Sequence, residues 1–196
     1  MANVLEDLLE ALEDVDDATR EEAAQALAGL GDPTTLDALI SACNDDFWSV
    51  RAHAGCGIAK IGGPKAVEAL VGLFNDPIME VRDQAVEATA KIGPIVLDRL
   101  VTAMKDERWR VREHAAKAAG KIKDSGTVDA LIGACRDRDG AVKSAAAEAL
   151  GKIADAKAIP ALIKLFRDSS KIVRETAGTA LIYIGYPSVD PLLDSL

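Results

Sequence analysis

An all-α chain of stacked antiparallel helix pairs is the fold class that this sequence predicts, and three observations predict it. A basic residue recurs at Arg20, Arg51, Arg82, Arg112, Lys143 and Arg174, at spacings of 31, 31, 30, 31 and 31 residues, the self-similarity of a repeat architecture. Between and after these residues, apolar side chains recur at offsets of 3, 4, 7 and 10, which trace one face of a helix. Glycine and proline fall where such helices would end, and no segment alternates as a half-buried strand does.

Each repeat reads as two helices, A and then B. Helix A is seen in Leu36-Leu39-Ile40-Cys43, Val67-Leu70-Val71-Phe74, Leu97-Leu100-Val101-Met104 and Ile159-Leu162-Ile163-Phe166. Asp37, Glu68, Asp98 and Asp129 are expected in its first turn, where a carboxylate meets exposed N–H groups. An aspartate then stands six residues before each basic residue: Asp14, Asp45, Asp76, Asp106, Asp137 and Asp168.

Helix B follows. It is expected to bury Ala23, Ala54, Ala85, Ala115, Ala146 and Ala177, then Leu27, Ile58, Thr89, Ala119, Leu150 and Leu181, then Leu30, Ile61, Ile92, Ile122, Ile153 and Ile184. Gly31, Gly62, Gly93 and Gly185 suit a left-handed position just after the helix, with Pro33, Pro64, Pro94 and Pro187 close behind. Lys123 and Ala154 replace that glycine, so those two turns are expected to close less well or to use another geometry. The sum is thirteen short helices in one domain, 1–196: repeats of approximately 1–31, 32–62, 63–93, 94–123, 124–154 and 155–185, then a half-repeat, 186–196, with an unpaired helix over 188–196.

The 196 residues are 49% hydrophobic and only 4% aromatic, so the core must rest on close packing of small side chains. No apolar run approaches the ~20 residues of a membrane span, which argues against a membrane partner. The 23 basic and 32 acidic side chains leave a net charge of −9. Residues 1–31 hold nine acids against Arg20 and read as a solvated cap. An odd set of cysteines, Cys43, Cys56 and Cys135, with no secretory leader fits a reducing cytoplasm, and Cys43 and Cys135 fall at core positions of helix A.

Blocks such as Asp76-Pro-Ile-Met-Glu-Val-Arg-Asp-Gln-Ala-Val-Glu-Ala and Asp106-Glu-Arg-Trp-Arg-Val-Arg-Glu-His-Ala-Ala-Lys-Ala resemble the HEAT repeat, in the short bacterial and archaeal subtype also found in phycobilin lyases. The resemblance covers the whole chain. It implies a right-handed α-solenoid, a superhelix of six repeats plus the unpaired C-terminal helix. It also implies a structural ladder of Asp45 with Arg51, Asp76 with Arg82, Asp106 with Arg112 and Asp168 with Arg174, in which aspartates hold turn N–H groups and arginines bridge adjacent repeats. Lys143 departs from the arginine and loses the forked geometry.

By the same resemblance helix B lines a concave face. Its variable positions are Trp48, Ser49, Ala52, His53 and Cys56 in the second repeat, Met79, Glu80, Asp83, Gln84 and Glu87 in the third, and Trp109, Arg110, Glu113, His114 and Lys117 in the fourth. Trp48, Met79 and Trp109 share one register position, and either form a partner-binding stripe or pack at the start of helix B. Acids on these positions are Asp17, Glu21, Glu22, Glu80, Asp83, Glu87, Glu113, Glu148 and Glu175, against Arg110, Lys117 and Lys171. That sign disfavours nucleic acid and favours a basic or amphipathic protein segment.

Catalytic constellations are missing from the sequence. His53 and Cys56 supply half a zinc site with nothing to close it, and no His-Glu dipeptide, phosphate loop or triad is present, so neither enzyme, metal nor other cofactor is expected. The expected function is a non-catalytic protein–protein interaction scaffold. The alternatives are an accessory or chaperone-like subunit resembling phycobilin lyases, in which Cys56, His53 and His114 are the residues to suspect, and an engineered or excised repeat scaffold. At the C-terminus Val189, Leu192, Leu193 and Leu196 leave an apolar face that a second copy, a continuing chain or a fold-back onto the sixth repeat would cover.

Overall fold

Fourteen-residue helices set the frame. The structure is a computed structural model that describes residues 2–185. It divides into two compact units, Met1–Ile92 and Gly93–Leu196, and among the described residues every regular element is helical. The first unit runs α1 (Ala2–Ala11), α2 (Asp17–Leu30), α3 (Leu36–Ala42), α4 (Trp48–Ile61), α5 (Gly63–Leu73) and α6 (Met79–Ile92). The second runs α7 (Leu97–Ala103), α8 (Trp109–Ile122), α9 (Val128–Ala134), α10 (Gly140–Ile153), α11 (Ile159–Leu165) and α12 (Lys171–Ile184). These are six A–B pairs, and the thirteenth helix, expected over 188–196, lies outside the described residues.

In the first unit α1, α3 and α5 each pack on the helix B that follows, while α2 packs on α4 and α4 on α6. The second unit repeats the scheme, with α8 on α10 and α10 on α12. The alanines three residues after each basic residue are at most 2% exposed, from Ala23 to Ala177. Four residues further on, Leu27, Ile58, Ala119, Leu150, Leu181 and even Thr89 are fully buried; Thr89 satisfies its hydroxyl by donating to the Ala85 carbonyl at 2.7 Å. Leu30 departs from its expected place in the core and is 58% exposed at the end of α2.

Small residues let the B helices meet backbone to backbone. A Cβ on Gly57 would stand 3.0 Å from Ala28 Cα, one on Gly120 2.7 Å from Ala149 Cα, and one on Gly151 2.8 Å from Ala180 Cα. Glycine against alanine, wherever the residue eight after one basic residue meets the residue six after the next, is therefore how a chain so poor in aromatics packs to interior density.

Two turn geometries follow helix B. Gly31, Lys123 and Ala154 all adopt the left-handed conformation and close the helix with N–H bonds to Leu27, Ala119 and Leu150. The turns at Lys123 and Ala154 are thus as well closed as the one at Gly31, and of the two outcomes expected for them it is the different geometry, relative to Gly62 and Gly93, that is seen. The helix bond is retained and only local strain, about 1 kcal/mol, opposes a Cβ there. Gly62 and Gly93 combine φ of 74° and 83° with ψ of −164° and −157°, a region open essentially to glycine alone. After Gly62 the chain enters α5 directly at Gly63, so Glu68 lies beyond the first turn expected for it, whereas Asp37, Asp98 and Asp129 do sit in first turns.

Candidate functional site

The Asp–Arg ladder accounts for one part of each repeat. Every turn aspartate accepts the N–H two residues on: Asp14 from Asp16, Asp45 from Phe47, Asp76 from Ile78, Asp106 from Arg108, Asp137 from Asp139 and Asp168 from Ser170, all at 2.8–2.9 Å. Arg51 donates Nε and Nη2 to Asp76 at 2.6 and 2.9 Å, and Nη1 to the carbonyls of Asp45 and Asp46. Arg112 does the same with Asp137 and the carbonyls of Asp106 and Glu107, and Arg20 with Asp45 and the carbonyl of Asp14.

Arg51 and Arg112 therefore meet the carboxylate of the following repeat and only backbone carbonyls of their own, while Arg20 also holds Asp17 of its own repeat at 2.6 Å. That refines the expected pairing of Asp45 with Arg51 and of Asp106 with Arg112. The reason is geometric, since each carboxylate is already turned back onto its own turn N–H and offers its outer edge to the neighbour. Lys143 reaches Asp168 with a single bond. Arg82 and Arg174 donate to the carbonyls of Asp76 and Asp168, Asp106 is gripped by Arg108 at 2.9 Å through both oxygens, and Arg82 Nε is buried with no partner among the described residues.

These bonds shift the carboxylates. Arg108 holds Asp106 down to about 2 against some opposing burial, and Lys143 with the Ser170 N–H lowers Asp168. Burial works against the charge of Asp45 and Asp137 but is outweighed by Arg20 and Arg112 together with the turn N–H groups, so both lie below the usual range. Cys43 and Cys135 are in the core as expected, their thiols pushed up to about 12 by burial.

With the ladder so occupied, the remaining polar residues of helix B define the candidate surface. In the first unit Trp48 is 39% exposed at the start of α4, its ring centroid 6.4 Å from that of Phe47, and Met79 is 58% exposed at the same register of α6. The tryptophan is thus partly packed and partly open. Ser49 turns inward and donates to Glu21 Oε1 at 2.5 Å, beside His53 Nε2 at 3.7 Å from the same oxygen. Cys56 is half-buried against Gln84, and Glu80, Asp83, Gln84 and Glu87 are exposed along α6. No lysine or arginine stands among these positions on α2, α4 and α6.

Two residues expected on the partner surface are buried: Ala52 at 3% and His114 at 2% exposure. A methyl group is too short to emerge between α2 and α6, which flank α4. His114 folds back to donate Nδ1–H to the Arg110 carbonyl at 2.7 Å; a carbonyl only accepts, which fixes the proton on that nitrogen.

In the second unit Trp109 is 38% exposed and the Arg110 guanidinium lies 4.9 Å from its ring centre, while Glu113 pairs with Lys117 at 2.7 Å. Next to them is a cleft of about 360 Å³ floored by Gly140, Ala141, Ser144 and Ala145 of α10 and walled by Glu113 and Lys117 of α8, Glu148 of α10, and Ser170 and Ile172 at the start of α12. Sequence reasoning passed over these floor residues. The signal was Gly140, which stands at the register of Trp48, Met79 and Trp109 and so leaves their space empty.

Among the described residues no three His, Cys, Asp or Glu side chains gather as a metal ion would require, and no helix is long and apolar enough to cross a membrane. The family model for HEAT repeats matches residues 5–90, 75–149, 97–182 and 128–196. No curated protein sequence matches the chain. Among solved structures, an engineered protein from the Northeast Structural Genomics Consortium is 26% identical, with 92% of this chain and 96% of that one covered at a TM-score of 0.50. A designed armadillo repeat protein in complex with the peptide (KR)4 is 22% identical over 92% of this chain and 99% of that one, also at 0.50. A chain from a structure of Kap95p with RanGDP is 15% identical over 97% of this chain and 32% of that one, at 0.72.

Proposed function

Since this chain belongs to the HEAT repeat family, we propose that it is a non-catalytic interaction scaffold that holds a segment of a partner protein on its helix B surface. One observation carries the reading: large apolar side chains, Trp48 and Met79, stand exposed at the start of successive B helices, while the ladder satisfies the adjoining turns without them. Aromatic and methionine side chains of this kind anchor protein interfaces. The designed armadillo neighbour, whose structure contains a bound peptide, supports a peptide-sized partner for the same architecture. Unpaired thiols at Cys43, Cys56 and Cys135 support a reducing compartment.

The test is affinity capture from cytosol with the parent chain and a Trp48→Ala, Met79→Ala, Trp109→Ala variant as parallel baits, after circular dichroism shows that both are folded. One protein held by the parent and lost by the variant is the expected result. Identical capture by both baits overturns the assignment of these side chains.

A further inference from the structure

Trp48 and Trp109 occupy the same register position on their helices and are equally exposed, yet their ring faces have different company. The chain itself supplies the cation for Trp109, through the guanidinium of the next residue, Arg110, at 4.9 Å from the ring centre. The residue after Trp48 is Ser49, 5% exposed and bonded to Glu21, so the position that supplies the cation for Trp109 supplies none here. The two helices packed on α4 carry acids instead: Glu21 is on α2, and Glu80 and Asp83 are exposed on α6 with no partner among the described residues.

We infer that Trp48, with Glu80 and Asp83, receives an arginine side chain from a basic extended segment of the partner protein, which places in the first unit the cation that Arg110 supplies in the second. This rests on the reading of helix B as the binding surface and adds the chemistry of its occupant. A guanidinium is suited because it stacks flat on an indole while its edge N–H groups remain free for carboxylates, which an ammonium on a single point cannot match. The surrounding acids contribute mainly to capture rate and salt dependence.

The probe is a fluorescein-labelled octa-arginine peptide titrated into the full chain by anisotropy. Expected are saturable binding that weakens as salt rises, loss of binding when citrulline replaces arginine, and affinity about tenfold lower in Trp48→Ala but largely retained in Trp48→Phe. Glu80→Gln with Asp83→Asn is expected to flatten the salt dependence, and Trp109→Ala to cost clearly less affinity than Trp48→Ala. In Trp109→Phe the only remaining indole is Trp48, and its emission should shift on titration.

Parent-like affinity in a folded Trp48→Ala chain, or an equal loss in Trp109→Ala, overturns the inference. Should octa-arginine not bind while the captured partner is still lost from the triple variant, the arginine receptor is wrong and the helix B surface stands. Failure of that capture too removes both.

Discussion

The helix B surfaces of the two units share a register and differ in how their polar side chains are satisfied. On α2, α4 and α6 the variable positions bring Asp17, Glu21, Glu22, Glu80, Asp83 and Glu87 and no lysine or arginine. On α8, α10 and α12 they bring bases as well, Glu113 meeting Lys117 at 2.7 Å and Lys171 meeting Glu175 at 3.5 Å, while Glu148 meets Lys152 at 2.6 Å, a lysine at the later register that Lys60 and Lys91 hold in the first unit. On the first surface Asp17 is held by Arg20 at 2.6 Å and Glu21 by Ser49, which leaves Glu80 and Asp83 to be neutralised from outside. The acids Glu113, Glu148 and Glu175 of the second all meet a lysine of their own helix. The frame beneath is common to both, and the repeat can therefore vary its outward chemistry without disturbing its fold.

The largest expected effect tests the common frame. Arg51→Ala and Arg112→Ala each remove a forked bond to a carboxylate and leave Asp76 or Asp137 in a largely desolvated place, which is expected to lower stability by about 3 kcal/mol in urea unfolding. Equal losses uphold a shared frame. A loss confined to one unit breaks the comparison, because the ladder would then be structural on one side only.

Acid sharpens the same point. A carboxylate better held in the folded chain than in the unfolded one contributes stability above its ordinary value of 3.8 and loses it as pH falls through the folded value, about 2 for Asp106. Asp45, Asp137 and Asp168 are displaced in the same direction. Stability is therefore expected to hold down to about pH 4 and to fall steeply from there to about pH 2, with less than about 1 kcal/mol from Asp106 because solvent reaches it. Arg108→Ala should move the Asp106 carboxyl resonance, followed by NMR, back toward the ordinary value; an unmoved resonance would reject the pairing.

Most of the frame was legible in the sequence because it depends on spacing. Basic residues about 31 apart and alanines three later marked the helix pairs and the alanine core, and the aspartates six earlier marked the turns, but not which repeat's aspartate each arginine meets. What escaped depends on rotamers and on local backbone choice. Spacing shows neither that Ser49 turns toward Glu21 nor that His114 folds back on its own helix, and a register position says nothing of whether a methyl group such as Ala52 clears its neighbours. Likewise Lys123 and Ala154 reach the left-handed turn that glycine reaches more easily, since the helix bond they preserve outweighs the strain. The cleft over Gly140 was visible only as the absence of a large side chain.

The smallest effect bears most directly on the difference between the surfaces. If Glu80 and Asp83 serve a partner, they contribute nothing to folding, and their mutual repulsion opposes it weakly. Glu80→Gln with Asp83→Asn is then expected to raise stability by about 0.3 kcal/mol at low salt, with the gain shrinking as salt screens the repulsion. Lys117→Gln in the second unit removes an internal pair and is expected to lower stability by about 0.5 kcal/mol. Unfolding is followed through Trp48 in a Trp109→Phe background and through Trp109 in a Trp48→Phe background, so that each unit reports on itself. A destabilising effect of neutralising Glu80 and Asp83 would mean that the folded chain uses those charges, and the case for a basic occupant would lose its electrostatic support.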